Sequence, residues 1–177
     1  MAAAAYQSGE KLYNDYDGLT HDYTKKGGVL YTEILLPPQA PTAWKDRQTL
    51  WAAVETAEKT KDSRLARQLI VALPIELGRD DWLLLLRGFI QMECVDKGMC
   101  ADFAIHDPDG HNPHAHIMVT MRPLDAHGKW QSKRKKNTCA AKPMRSAALQ
   151  HRSFCRQKRT AGKSSTNTEA QRACRRG

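Results

Sequence analysis

Apolar and polar residues along the chain fall into two periods. In "DRQTLWAAVETAEK", Leu50, Trp51, Val54 and Ala57 recur at helical spacing, and Asp46 stands where an N-cap is wanted. "RDDWLLLLRGFIQMECVDKGM" predicts a second helix, with Asp80 or Asp81 near its start and Gly98 at its end. Further upstream, "AAAAYQSGEKLY" predicts another helix: alanine favours it, and Tyr6 and Tyr13 lie seven apart on one face. Shorter segments read differently. "RQLIVALP" is β-branched, apolar and bounded by Pro74, which predicts a strand; "CADFAIH" and "HAHIMVTM" predict two more. "GGVLYTEILLP", from Gly27, predicts a strand or extended segment stopped by Pro37 and Pro38.

This order predicts an α+β fold: an antiparallel central sheet with helices packed on one face. Only seven residues separate His106 from His114. A parallel crossover needs about a dozen or more, so the last two strands should form an antiparallel hairpin.

Charge divides the chain in two. The net charge of +9 suggests a nucleic-acid partner. Yet 13 of the 28 Lys and Arg, and one of the 19 acids, lie in residues 134–177, giving that segment +12. The remaining 15 basic and 18 acidic residues give residues 1–133 a charge of −3. Residues 134–177 hold one aromatic residue, Phe154, and no sustained apolar period. The expected organisation is a compact domain over 1–133 followed by a basic, largely disordered tail. That tail reads either as an arm for DNA phosphates or as a stretch foreign to the domain. The five cysteines are scattered without a CxxC pair, which suits reduced thiols and a cytoplasmic protein. No apolar run, Trp82–Leu86 included, approaches the roughly 20 residues of a membrane helix.

Histidine supplies the candidate chemistry. "HDPDGHNPHAH", from His106, holds four of the seven histidines. Side chains alternate along a strand, so His114, His116 and Met118 share one face, and Ala115, Ile117 and Val119 the other. In a hairpin, His106 at the end of the first strand comes near the start of the second. Three neutral imidazoles can then converge and leave further coordination positions open, as a catalytic metal centre requires. His111 reads as a loop residue. Asp109 and Asn112 read as turn residues, and Asp107 as a turn or supporting residue.

At these residues the chain resembles the MobA/MobL relaxases, the HUH-type DNA-nicking enzymes of plasmid mobilisation. "AIHDPDGHNPHAHIMVTMRPLD" is similar to the family's metal motif, a histidine ending one strand and then "NPHxH" on the next. "AAAAYQSGEKLYND", "HDYTKKGGV" and "DRQTLWAAVETAEKTKDSRLARQLIVALPIEL" match further blocks in the same order, over about residues 2–133. The resemblance implies a divalent cation (Mg, Mn or Zn) on His106, His114 and His116. It also implies a tyrosine nucleophile that attacks a phosphodiester and leaves a 5′-phosphotyrosyl link and a free 3′-hydroxyl. The family motif places that nucleophile at Tyr6, with Tyr13 as runner-up on the same predicted helix face. The implied partners are single-stranded or melted origin-of-transfer DNA and accessory mobilisation proteins.

Two departures from the family pattern stand out. Relatives begin with a strand before the alanine-tyrosine helix, so the first strand of the sheet is expected to be missing here. Relatives often carry acids where this chain has Gln68 and Ile70. Two other functions compete with the relaxase: a catalytically inactive fragment that binds DNA through its basic tail, and a histidine-triad nucleotide hydrolase. "HNPHAHIMV" resembles the latter's strand, but its first histidine spacing is two residues instead of one.

Overall fold

In a computed structural model, described for residues 1–133 except 59, 61 and 62, the two periods separate into helices and strands largely as the pattern predicts. The basic segment 134–177 lies outside the described residues. The elements run α1 (Ala2–Ser8), β1 (Lys11–Asn14), β2 (Leu19–Asp22), β3 (Val29–Leu35), α2 (Arg47–Ala57), β4 (Ala66–Ala72), α3 (Arg79–Glu93), β5 (Ala101–His106) and β6 (His114–Thr120). Short 3₁₀ turns at Thr42–Lys45 and Val95–Lys97 precede α2 and follow α3.

Strands β3, β5, β6 and β4 pair in that order, antiparallel throughout. The expected hairpin is present, with Ala101 opposite Val119 at one end and His106 opposite His114 at the other. A separate two-stranded hairpin joins β1 to β2.

The helices are where the sequence places them, with one shortened. The Asp46 carboxylate accepts the Thr49 backbone N–H and so caps α2, as expected. Gly98 takes the left-handed conformation after the 3₁₀ turn that follows α3. α1, however, ends at Ser8, because Gly9 is left-handed (φ 69°) and its N–H closes onto the Ala5 carbonyl. Tyr13 is therefore on strand β1, opposite Thr20, and does not share a helix face with Tyr6.

The α+β antiparallel architecture is as expected, but the helices are not confined to one face. Trp82, Leu86 and Ile90 of α3 pack on Phe103, Ile105, Ala115, Ile117 and Val119 of the central strands. Leu50, Trp51 and Val54 of α2 form a second cluster with Ala4 and Ala5 of α1, Leu12 and Met118. Met118 is on the opposite side of the pleat from Ile117 and Val119, so α1 and α2 cover the histidine-bearing face. Burying residues such as Leu50, Leu86, Ile90 and Phe103 contributes about 1.5–3 kcal/mol each.

Buried polar contacts fix α1 and α2 against the sheet. The Arg47 guanidinium, at the start of α2, donates to both carboxylate oxygens of Asp102 on β5, at 2.9 and 3.0 Å, and also to Glu10. The Trp51 indole donates to the same Asp102 carboxylate. Gln7 of α1 donates its side-chain amide to the Asp102 carbonyl at 3.1 Å. Such forked, fully partnered pairing is what a buried arginine and aspartate require.

Candidate metal centre

The two-residue period of β6 and the register of the β5–β6 hairpin bring His106, His114 and His116 together. One ring nitrogen from each lies within 4.8 Å of the others. The ring centroids are 4.5 Å apart for His106 and His116, 5.1 Å for His114 and His116, and 5.6 Å for His106 and His114. His111 is exposed in the connecting loop and takes no part in the cluster.

Backbone carbonyls orient two of the rings. His106 Nε2 faces the Gln7 carbonyl at 2.6 Å, and His114 Nδ1 faces the Asn112 carbonyl at 2.8 Å. A carbonyl oxygen only accepts, so each of those nitrogens carries the proton. In the neutral rings, Nδ1 of His106 and Nε2 of His114 are left with free lone pairs. The Asp107 carboxylate accepts the Asn112 N–H at 3.2 Å and so steadies the residue whose carbonyl holds His114. His116 Nδ1 is buried without a hydrogen-bond partner, an arrangement that a coordinated cation would relieve.

Electrostatics favour the neutral rings a cation needs. Burial, the largest cause, pushes His116 down to about 4, with further lowering from His106, His114 and Lys26. His106 is lowered as well, again chiefly by burial. The donor set, its convergence and its protonation therefore fit a divalent cation.

Tyr6 stands on α1, one residue before the carbonyl that holds His106. It is 47% exposed. Its ring meets Tyr23 edge-on at 5.3 Å between centroids, and the Lys26 ammonium sits 3.7 Å from its centre. Lys26 also donates to the Tyr6 carbonyl at 2.9 Å. Tyr23 makes the packing contact expected of a tyrosine without a catalytic role, whereas Gln7 and Lys26 carry no sequence signal, since nothing local distinguishes a lysine before Gly27 from any loop lysine. Gln68 and Ile70 fall on β4 opposite Met118 and His116, on the histidine face; Ile70 is 65% exposed there.

Fold and site together define a class: an α+β domain whose antiparallel sheet presents a cluster of three histidines that could hold a metal ion. The comparisons make it specific. The MobA/MobL family matches residues 1–176, and the chain belongs to that family. The match extends past Lys133, where the resemblance of the motifs ends. The chain is 38% identical over 138 residues to "Conjugal transfer protein TraA" of Agrobacterium fabrum, covering 72% of this chain and 12% of that protein. It is 38% identical over 125 residues to "Probable mobilization protein MobA" of Bifidobacterium longum, covering 70% and 22%. "Mobilization protein MobL" of Acidithiobacillus ferridurans is 36% identical, with 71% and 30% covered. The chain thus spans under a third of these relatives. A solved structure from work on vancomycin resistance transfer in Staphylococcus aureus superposes with a TM-score of 0.70 at 31% identity, covering 86% of this chain and 78% of that one. Membership of this family removes the histidine-triad hydrolase from consideration. Among the described residues, no helix is long and apolar enough to cross a membrane.

Proposed function

We propose that this chain is a metal-dependent DNA endonuclease and strand transferase of plasmid mobilisation, which nicks a transfer origin by attack of Tyr6. The observation that supports this best is the hydrogen bond from the His106 ring to the Gln7 carbonyl, which couples the helix carrying Tyr6 to the histidine cluster. In the reaction the Tyr6 phenolic oxygen bonds to phosphorus and the bond to the 3′ oxygen breaks. The phenol's proton passes to solvent or to the departing oxygen. The products are a 5′-phosphotyrosyl link and a free 3′-hydroxyl, so the phosphodiester is exchanged and remains available for resealing.

His106, His114 and His116 would hold a divalent cation, with Mg, Mn and Zn as the candidates. Such a cation, when bound, polarises a phosphoryl oxygen and stabilises the charge that develops on it. The chain's own part is to hold two lone pairs in fixed directions through the Gln7 and Asn112 carbonyls. Its half-exposed Tyr6 leaves the nucleophile within reach of a strand. The partner is single-stranded or melted origin-of-transfer DNA, with accessory mobilisation proteins.

Supercoiled plasmid carrying the origin, incubated with the chain and Mn²⁺, should yield nicked circles. His106→Ala, His114→Ala and His116→Ala should each abolish the cation-dependent nicking. Tyr6→Phe should bind the cation normally and form no covalent DNA adduct; an adduct with Tyr6→Phe would overturn the assignment.

A further inference from the structure

Lys26 is a cation without a carboxylate partner among the described residues. Its neighbours on the strand-entry segment explain why it is held so closely to the site. The Gly28 carbonyl accepts the Asp107 N–H at 2.9 Å, and Val29 is opposite His106 in the sheet. Gly28 has φ +80°, and a Cβ there would lie 2.7 Å from the Pro108 Cα. The segment Lys26–Gly28 therefore abuts the start of the histidine loop. On the other side, the Lys26 ammonium binds the carbonyl of Tyr6 while the His106 ring binds the next carbonyl, that of Gln7. The two groups hang from consecutive peptides, whose Cα atoms are about 3.8 Å apart.

An ammonium has three donors. One is spent on the Tyr6 carbonyl, and the ring face of Tyr6 accepts none of the others as a conventional hydrogen bond. Burial lowers the proton affinity of Lys26, an effect that an anion would offset. The Lys26 charge also reaches His106 and His116, where it works against a proton on either ring.

We propose that Lys26 binds a non-bridging oxygen of the phosphodiester that Tyr6 attacks, and by gripping the Tyr6 carbonyl and ring holds the nucleophile beside that phosphate. The proposal rests on the reading of Tyr6 as nucleophile and names the group that receives the substrate's charge there. It adds no bond-making step. A single-stranded chain carries one negative charge per phosphate, so a cation already stationed beside the nucleophile selects for a phosphodiester over a neutral acyl or glycosyl centre.

The test uses the full chain with Mn²⁺ and labelled single-stranded oligonucleotides tiled across the DNA that flanks its gene. Binding is measured by fluorescence anisotropy from 50 to 200 mM salt, in the Tyr6→Phe background so that no adduct accumulates. Loss of one phosphate contact should make the slope of log K against log salt shallower by about 0.7. Lys26→Gln should show that change and bind about tenfold more weakly at 50 mM salt, and Lys26→Arg should restore the slope. The same slope in Lys26→Gln as in its parent, or no restoration by arginine, would overturn the proposal. A thermal melt of each variant guards the comparison: if Lys26→Gln does not fold, Lys26→Met takes its place as the variant without the charge, with Lys26→Arg again as its control. Failure of the nucleophile reading shows separately, as a covalent adduct in the Tyr6→Phe chain.

Discussion

Individual residues at the site carry a proton ledger that can be measured. An unfolded chain binds a proton at His116 with the ordinary imidazole value of 6.5, whereas the folded chain does so only at about 4. Between those values the unfolded state holds more protons, so stability rises with pH through that window. For the metal-free protein the contribution of His116 is fully present above about pH 6.5 and is lost as pH falls towards 4. His106 is displaced in the same direction and adds to the effect. The expected outcome is a urea midpoint that drops as pH is lowered from 6.5 to 4, and drops less in His116→Ala. The same displacement implies that cation binding, followed by calorimetry, persists below the pH at which free imidazole would be lost to protons.

Elements show how much of this was legible. The strands of the central sheet are readable, and so is the pairing of the last two, because a seven-residue connection leaves an antiparallel hairpin as the available topology and the period of two then assigns His114 and His116 to one face; the pairing of β3 with β5 and of β4 with β6 is not. The α2 cap was readable too, from Asp46. The β1–β2 hairpin is not among the expected elements, although Asp17–Gly18 between short alternating segments is a turn signal, and Gly18 takes φ +68°. The alanine run drew the helix too far, across the stop that Gly9 imposes. The side on which α2 packs was not readable: a helical period says that a face is buried but not against which surface. Lys26 was beyond reach because its meaning depends on Tyr6 and on the histidine loop, about 20 and 80 residues away in sequence. One element boundary allows a sharp test. Gly28→Ala should destabilise the fold by about 1–2 kcal/mol from its left-handed backbone, and by more from the encounter with Pro108. Gly27→Ala, where a Cβ would meet nothing within 4 Å, should be close to neutral in the same denaturant titration.

For the molecule as a whole, charge and chemistry lie in different places. The histidine centre belongs to a segment of charge −3, and the excess positive charge belongs to residues 134–177. We propose that residues 1–133 fold without the remainder. A chain ending at residue 133 should melt cooperatively at a similar temperature, yet bind single-stranded DNA more weakly and with a flatter salt dependence. A non-cooperative melt would refute the division. The hairpin that builds the centre has one more consequence. Ala115 and Ile117 are buried against α3, while His114 and His116 face the other way. A slip of one residue in β6 would put imidazole into the hydrocarbon interior and turn Ala115 and Ile117 out to the site. A chain that mispairs these strands therefore loses the convergence of the three imidazoles, so calorimetric titration with Mn²⁺ should distinguish correctly paired from slipped chains.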